Sequence, residues 1–147
     1  MKNSNIISIL VIDNNSDEVN LIAKIIDIKK WNVNFNSLND GVEAMDYLHK
    51  KGKYKNCATP SLILLDLNLP NKTGIEVLKE IKTNSTLKYI PVIVLTTSNN
   101  DKDIFKSYEY HANAFITKPL DSYKFKEDMS ILKEFWFNNV QLPNTEN

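Results

Sequence analysis

Short apolar runs alternate along this chain with longer segments whose apolar residues are spaced as in helices. The runs are rich in valine, isoleucine and leucine, and they lie at residues 6–12, 32–37, 62–65, 92–95 and 114–116. The first, third and fourth runs are almost continuously apolar, which is typical of strands that are covered on both faces. We therefore predict five β-strands in one parallel sheet.

The segments between and after these strands predict five amphipathic helices. Apolar residues recur at helical spacing within residues 19–28, 42–48, 75–81, 104–108 and 125–136. Ser16 is expected to cap the first helix, with Asp17 and Glu18 in its first turn and Ile28 as its last apolar residue. Strands that alternate with helices in this way predict an α/β fold, with helices on both faces of the sheet and right-handed crossovers.

The overall composition is that of an ordinary globular protein. Of 147 residues, 42% are hydrophobic and 24% are charged, and 18 basic residues balance 18 acidic ones. This balance gives no global attraction to nucleic acids or anionic membranes, so we expect neither as a partner. The single cysteine excludes an internal disulfide, and no apolar run approaches the roughly 20 residues of a membrane span, so we expect a cytoplasmic protein. We predict one domain at residues 6–137 and a tail at residues 138–147, without an output domain.

Polar residues stand where the predicted strands end, and ligands bind at this edge of parallel sheets. Strand one ends in Asp13, strand three in Asp66, strand four in Thr96 and strand five in Lys118. Carboxylate oxygens suit Mg²⁺, and a carboxylate can attack phosphorus to give an aspartyl phosphate, with a lysine and a hydroxyl neutralising charge. Singly, each residue would more often be a cap, a strand residue or a surface charge, but their shared position favours a phosphoryl-transfer site.

Three segments of the sequence resemble the receiver domains of response regulators. Residues 62–74, LILLDLNLPNKTG, resemble the phosphoacceptor segment of that family. Residues 91–98, PVIVLTTS, resemble its fourth strand, and residues 114–119, AFITKP, resemble its fifth. The likeness extends from Ile9 to Trp136. Within the family, the chain is similar to the single-domain regulators that are paired with cyanobacterial phytochromes and hybrid histidine kinases. This likeness implies a flavodoxin-like, doubly wound (βα)5 fold with the strand order 2-1-3-4-5.

The resemblance also implies roles for the residues that match the family's motifs. Asp66 would be the phosphoacceptor, and the cofactor Mg²⁺ would be bound by Asp13, Asp66 and the backbone carbonyl of Asn68. Gly74 would permit a backbone turn that residues with a Cβ atom resist.

Further roles concern the phosphoryl group and the switch. Thr96, Thr97 and Lys118 would bind phosphoryl oxygens, with Thr96 and Lys118 acting as catalytic residues beside the phosphoacceptor. Thr96 and Phe115 would form the switch, in which the aromatic ring moves inward as the threonine shifts. The peptide between Lys118 and Pro119 would be cis.

One position departs from the family's pattern, which usually has two acids in a row at the end of strand one. Here the pair reads Ile12 and Asp13, so the first acid is missing. Loss of an outer partner weakens metal binding by roughly 10–100-fold, and Ile12→Glu is expected to raise Mg²⁺ affinity. Asn14, Asn15 or Asp17 are candidates to compensate through a water molecule.

The chain is therefore predicted to be a stand-alone receiver in two-component phosphorelay signalling. A histidine kinase or a phosphotransfer protein would supply the phosphoryl group, and the fourth helix, fifth strand and fifth helix would contact a target protein. We expect no enzymatic activity beyond its own phosphorylation and dephosphorylation. Apolar residues near the end of the chain favour a homodimer, with packing on the parent sheet as the alternative: Phe135, Trp136, Phe137, Val140 and Leu142.

Two other functions fit the sequence less well. A degenerate receiver, which binds partners without being phosphorylated, is supported by Ile12 alone. A flavin- or nucleotide-binding enzyme of the same architecture needs a glycine-rich phosphate loop, and the three glycines, Gly41, Gly52 and Gly74, are not clustered.

Overall fold

The computed structural model describes residues 6–26 and 33–143, which contain a five-stranded parallel sheet. The strands are β1 (Ile7–Ile12), β2 (Val33–Leu38), β3 (Leu62–Leu65), β4 (Val92–Thr96) and β5 (Ala114–Thr117). Their order is β2-β1-β3-β4-β5, and all neighbouring strands pair in parallel. The predicted α/β fold and the strand order 2-1-3-4-5 are confirmed.

The helices are α1 (Ser16–Ile26), α2 (Gly41–Leu48), α3 (Gly74–Thr83), α4 (Asp101–Glu109) and α5 (Ser122–Glu134). A 3₁₀ turn at Gly52–Tyr54 and a π-helical turn at Phe135–Asn139 complete the elements. Helices α1 and α5 pack together on one face of the sheet, and α2 and α3 pack together on the other. Every helix in the described part of the chain is too short or too polar to span a bilayer. The predicted position of Ile28 in the first helix, and the predicted start of strand two at residue 32, lie outside the described residues.

Both faces of β1 are buried, as its almost continuously apolar sequence predicts. Leu10 and Ile12 lie in the core beneath α2 and α3, whereas Ile9 and Val11 lie in the core beneath α1 and α5. Full burial of such a side chain contributes roughly 1.5–3 kcal/mol. This packing holds β1 at the centre of the sheet, so the first residue after it, Asp13, has a fixed place at the carboxyl edge.

The cap of α1 differs from the prediction. Ser16 is the first residue of the helix, and Asn15 caps it, because its side-chain oxygen accepts a hydrogen bond from the Glu18 N–H at 3.1 Å. Asparagine and serine are about equally good caps, so their order in the sequence does not distinguish them. The N–H of Asn15 donates to Asp13 Oδ1 at 2.8 Å, and this turn determines where the helix begins. Asp17 and Glu18 lie in the first turn, as predicted.

Candidate functional site

Four polar residues lie where the central and outer strands end. Asp13 directly follows β1, Asp66 directly follows β3, Thr96 is the last residue of β4, and Lys118 directly follows β5. The parallel pairing of β1 with β3 brings the two aspartates side by side. The structure therefore gathers these predicted site residues at one edge of the sheet.

The ammonium group of Lys118 joins the two aspartates. Its Nζ donates hydrogen bonds to Asp13 Oδ2 at 3.0 Å, to Asp66 Oδ2 at 3.3 Å and to Glu18 Oε1 at 2.6 Å. The lysine is only 5% exposed, so water screens these ion pairs little. Burial alone would lower the pKa of Lys118, but the Glu18 hydrogen bond and the charges of the two aspartates outweigh it and raise the pKa. Lys118 is therefore a charged residue inside the cleft.

The two aspartates are both buried, at 4% exposure for Asp13 and 8% for Asp66. Burial raises the pKa of Asp13, and the opposing effects of the Asn15 N–H and of Lys118 do not cancel that rise. Asp66 Oδ1 accepts a hydrogen bond from the Asn68 N–H at 3.3 Å. Two carboxylates beside a single ammonium leave an excess of negative charge, and buried charges of this kind require a further partner or a metal ion.

Glu18 belongs to this cluster, although its position in the sequence indicated only a place in the first turn of α1. Its carboxylate makes the shortest of the three contacts with Lys118. Its side chain is 25% exposed, so it lies on the outer side of the cleft. Its spacing in the sequence could have indicated this role. With Asn15 as the cap, Glu18 is the third residue of α1, and it lies only a few residues after the end of β1.

The Thr96 hydroxyl is buried and lacks a hydrogen-bond partner within the described residues. A buried polar group in this state costs about 1–3 kcal/mol, so an oxygen-rich ligand that accepts this hydroxyl proton is favoured. The Thr96 carbonyl accepts the backbone N–H of Lys118 at 2.6 Å, which joins the ends of β4 and β5. Thr97 is exposed and lies outside the buried cluster.

The position of the missing acid must be corrected. Ile12 is the last residue of β1, and its side chain lies in the core beneath α2 and α3, so an acid there would not reach the site. The two residues that follow β1 are Asp13 and Asn14. An acid at residue 14 would stand at this edge, so we infer that Asn14, an exposed amide, is the position of the missing acid. Side chains alternate between the two faces of a strand. A motif that is matched one residue too early therefore assigns a core side chain to the site.

Gly74 is required for a close approach of two backbone segments. A Cβ atom at this residue would lie 2.3 Å from the carbonyl oxygen of Asp66 and 2.5 Å from the Cα atom of Leu67. Its N–H donates to the Leu67 carbonyl at 3.0 Å. Its φ angle is not positive, so a Cβ atom is resisted because of this close approach and not because of a left-handed backbone turn. The first turn of α3 therefore lies directly against the backbone of Asp66 and Leu67.

The loop at residues 67–73 is also held by the first turn of α2. A Cβ atom at Gly41 would lie 1.9 Å from the Lys72 carbonyl oxygen, so the two backbones are in direct contact. Asp40, which caps α2, also accepts a hydrogen bond from the Asn71 side chain. These contacts restrain the segment that follows the central aspartate.

Two further predictions concern β5 and the residue that follows Lys118. Phe115 is half-buried against the core on the side of α2 and α3, and its N–H donates to the Tyr108 hydroxyl at 3.1 Å. Its role in a switch stays a prediction. The peptide between Lys118 and Pro119 is trans, as are all peptides within the described residues, so the predicted cis bond is wrong. An X–Pro bond prefers trans by only about 0.5–1 kcal/mol, and the local sequence does not determine its isomer.

The donor set of the cleft fits a hard divalent cation. Asp13 and Asp66 present carboxylate oxygens next to each other, and Mg²⁺ is typically bound by one or two carboxylates while it keeps several waters. Across residues 6–26 and 33–143, no three acidic, histidine or cysteine side chains form a closed metal cluster. The residues therefore allow an open site with few protein ligands, which leaves coordination positions for a ligand oxygen.

Comparison with known proteins gives concordant matches over most of the chain. The family model described as the response regulator receiver domain matches residues 9–130. The chain is 41% identical over 135 residues to response regulator Rcp1 of Synechocystis sp., and this match covers 92% of each sequence. The solved structure of the phosphorylated cyanobacterial phytochrome response regulator RcpA has a TM-score of 0.92 and 41% identity, covering 95% of this chain and 100% of that one. The Mn²⁺-bound form of Rcp1 has a TM-score of 0.90 and 40% identity, covering 93% and 99%.

Proposed function

Because the chain belongs to the response regulator receiver domain family, as its motifs predict, we propose that Asp66 accepts a phosphoryl group in a phosphorelay. The family acts in two-component signalling and is not a classical enzyme family. The proposal depends on one observation, the buried contact of Lys118 with both Asp13 and Asp66. This contact gives the central carboxylate a fixed counter-ion and an acidic neighbour.

The phosphoryl donor in this proposal is a phosphohistidine of a histidine kinase or of a phosphotransfer protein. A carboxylate oxygen of Asp66 attacks the phosphorus, an O–P bond forms, and the P–N bond to the donor histidine breaks. The histidine nitrogen keeps the electron pair of the broken bond and takes up a proton. Water later cleaves the aspartyl phosphate and returns the free carboxylate and inorganic phosphate.

Lys118 and Thr96 bind the oxygens of the transferring group. The lysine neutralises charge in a site from which water is largely excluded, where such an interaction is strong. The threonine hydroxyl donates to a second phosphoryl oxygen and so gains the partner that it lacks. Thr97 contributes a further phosphoryl contact from the exposed side of the cleft. Phe115 moves inward when Thr96 shifts.

Asp13, Asp66 and the backbone carbonyl of Asn68 hold Mg²⁺ in this proposal. When bound, the ion neutralises negative charge on the phosphoryl oxygens. Rcp1 in a Mn²⁺-bound form and RcpA in a phosphorylated form have a similar fold and about 40% identity, which supports a cation and a phosphoryl group as ligands of this chain. Asn14 contributes no charge, so we expect weaker cation binding than in a receiver with two acids.

Labelling with acetyl phosphate tests the proposal. Wild-type protein is expected to gain one phosphoryl group in the presence of Mg²⁺ and none without it, as measured by intact-protein mass spectrometry. Asp66→Asn keeps the shape of the side chain but removes the nucleophilic carboxylate, so it should not be labelled. Glu109→Gln removes an exposed carboxylate at the end of α4 and should be labelled like wild type. Equal labelling of Asp66→Asn would contradict the proposal.

The second candidate, a receiver that binds partners without phosphorylation, loses the support of Ile12, which is a core residue. Its remaining support is the neutral Asn14. A folded wild-type protein that stays unlabelled at saturating Mg²⁺ would favour this candidate, and circular dichroism provides the check on folding.

Partner proteins other than the phosphoryl donor would contact the surface formed by α4, β5 and α5. β5 is an edge strand of the sheet. The helices α4 and α5 and the π-helical turn after α5 expose large apolar side chains: Phe105, Tyr108, Tyr123, Ile131 and Phe135. An apolar surface of this kind is typical of protein contacts. The switch residue Phe115 lies on β5, so a movement of its ring would alter this surface.

A further inference from the structure

Glu18 makes the closest contact with the only ammonium group of the cleft within the described residues. The distance from Lys118 Nζ is 2.6 Å to Glu18, compared with 3.0 Å to Asp13 and 3.3 Å to Asp66. A lysine ammonium has three N–H donors, and these three carboxylates use all of them. Lys118 therefore has no donor to spare for a new ligand.

A phosphoryl group on Asp66 takes over the donor that Asp66 Oδ2 now accepts, and a contact to a second phosphoryl oxygen requires that Asp13 or Glu18 release another. Asp13 is buried, and its other oxygen accepts the Asn15 N–H at 2.8 Å, so it is held in place. Glu18 is the partner that can leave, because its side chain is 25% exposed and its carboxylate can turn toward water. The geometry thus makes Glu18 and the phosphoryl group alternatives for Lys118.

We propose that Glu18 is a positioning residue that competes with the phosphoryl group for Lys118. The inference rests on the proposed function, since it concerns the same cleft. Before phosphorylation, Glu18 holds the ammonium beside the two aspartates. After phosphorylation, Lys118 contacts phosphoryl oxygens, and the Glu18 carboxylate is released to solvent at the first turn of α1.

The charge of Glu18 has opposite effects on the two ligands of the cleft. Three carboxylates and one ammonium leave the cleft negative, which attracts a divalent cation. A phosphoryl group brings additional negative charge, so the same carboxylate repels it. Because Asn14 is neutral, Glu18 also supplies the third acidic charge that the cleft would otherwise lack. Removal of this charge should weaken cation binding and strengthen binding of a phosphoryl mimic.

The variant Glu18→Gln tests both effects. The dissociation constant of Mg²⁺, measured by isothermal titration calorimetry on unphosphorylated protein, should rise about 3- to 10-fold. Trifluoroberyllate binds carboxylates as a mimic of a phosphoryl group, and its dissociation constant at saturating Mg²⁺ should fall about 3- to 10-fold. Opposite shifts distinguish competition from structural damage, which weakens the binding of both probes.

The matched control is Glu109→Gln, which makes the same chemical change at an exposed residue at the end of α4. Both of its constants should lie within about twofold of wild type, because exposed charges are screened. Shifts of Glu18→Gln in the same direction for both probes, or no shift for either, would overturn the competition while leaving the proposed function intact. Failure of the wild-type protein to bind Mg²⁺ and trifluoroberyllate would instead overturn the proposed function, and the competition with it.

Discussion

Lys118 is a buried residue whose surroundings stabilise the charged form of its ammonium group. Removal of an ammonium from water costs several kcal/mol, and only close partners of opposite charge offset that cost. Three carboxylates contact it, and its backbone N–H is bound to Thr96. A substitution that removes one partner therefore changes the electrostatics of the whole cleft, and the residues around it act as a unit.

The correction at the end of β1 gives a prediction at two neighbouring residues. Asn14→Asp places a carboxylate at the edge of the cleft, so the Mg²⁺ dissociation constant should fall about tenfold or more. Ile12→Glu places a carboxylate in the apolar core, so it should destabilise the fold by about 3–5 kcal/mol. Calorimetric titration with Mg²⁺ measures the first effect, and urea unfolding measures the second.

The control for this pair is Ile12→Val, which is expected to cost about 0.5–1.5 kcal/mol and to leave Mg²⁺ affinity unchanged. If Ile12→Glu instead folds normally and binds Mg²⁺ more tightly, position 12 belongs to the site after all, and the assignment to Asn14 is wrong.

At the residue level, the sequence predicts those members of the cleft that directly follow or end a strand. Asp13, Asp66, Thr96 and Lys118 converge because the carboxyl ends of parallel strands share one edge of the sheet. Glu18 approaches from a helix, and its direction depends on the turn between β1 and α1, which a periodic pattern does not reveal. The end of β1 at Ile12 was predicted correctly, but the family's pair of acids was matched to residues 12 and 13, and a match displaced by one residue changes the face of the strand.

At the scale of secondary-structure elements, the N-terminus of α2 shows how a cap and a loop are coupled. The Asp40 carboxylate accepts hydrogen bonds from the Val42 N–H at 2.7 Å and the Glu43 N–H at 3.0 Å, and it also binds the Asn71 side chain. The Glu43 N–H is the main cause, with the Asn71 hydrogen bond second, of the lowered pKa of Asp40. The cap of α2 and the loop at residues 67–73 thus depend on one carboxylate.

The variant Asp40→Ala should lower the free energy of unfolding by about 1 kcal/mol near neutral pH, because the cap is lost. The pKa of Asp40 is lower in the folded state, so its contribution is fully present above the unfolded value of about 4 and is lost as pH falls through the folded value. Asp40→Asn keeps a capping oxygen but does not titrate. Urea unfolding between about pH 5 and pH 3 should therefore show a smaller acid-induced loss in Asp40→Asn than in wild type; equal losses would exclude this carboxylate as a cause.

The end of α5 is an element that the sequence did not define. Helical spacing predicts one helix through Trp136, whereas α5 ends at Glu134 and continues as the π-helical turn. In this turn Trp136 and Phe137 pack against the core beside α1 and α5, while Phe135 remains 49% exposed. A period of 3.6 residues does not indicate the wider turn, so the apolar residues alone did not show which of them face the sheet.

At the scale of the whole molecule, the apolar cluster near the end of the chain is divided between the core and the surface. Trp136 and Phe137 fulfil the alternative of packing on the parent sheet. Ile131 and Phe135 remain exposed, and they border an apolar groove of about 370 Å³ between β5 and α5. Because these apolar side chains are exposed, a homodimer stays a prediction.

Sedimentation velocity should accordingly show a concentration-dependent dimer of the wild-type chain. Ile131→Glu places a charge in the contact and should shift the equilibrium toward monomer by about tenfold or more in dissociation constant, since burial of an unpaired charge is costly. Leu120→Ser alters an exposed apolar residue that does not line the groove, and it should leave the equilibrium unchanged. A wild-type chain that is monomeric at every concentration would contradict the prediction.

The overall architecture was the part that the sequence predicted best, because it depends on many residues at once. Strands buried on both faces must be apolar throughout, and this signal appears clearly in β1, β3 and β4. Single local choices, such as the cap residue of α1 or the isomer of the Lys118–Pro119 bond, involve small energy differences. They are settled by the packed structure and not by the neighbouring residues.

The hydrogen bond between Lys118 and Asp13 joins residues 105 positions apart in the chain. During synthesis on a ribosome, the first aspartate emerges long before the lysine, and the strand that carries the lysine is the last of the sheet. A partly made chain that lacks Lys118 therefore lacks the ammonium that contacts the two aspartates. The cleft is therefore complete only after translation has passed Lys118, the last of its residues in the chain.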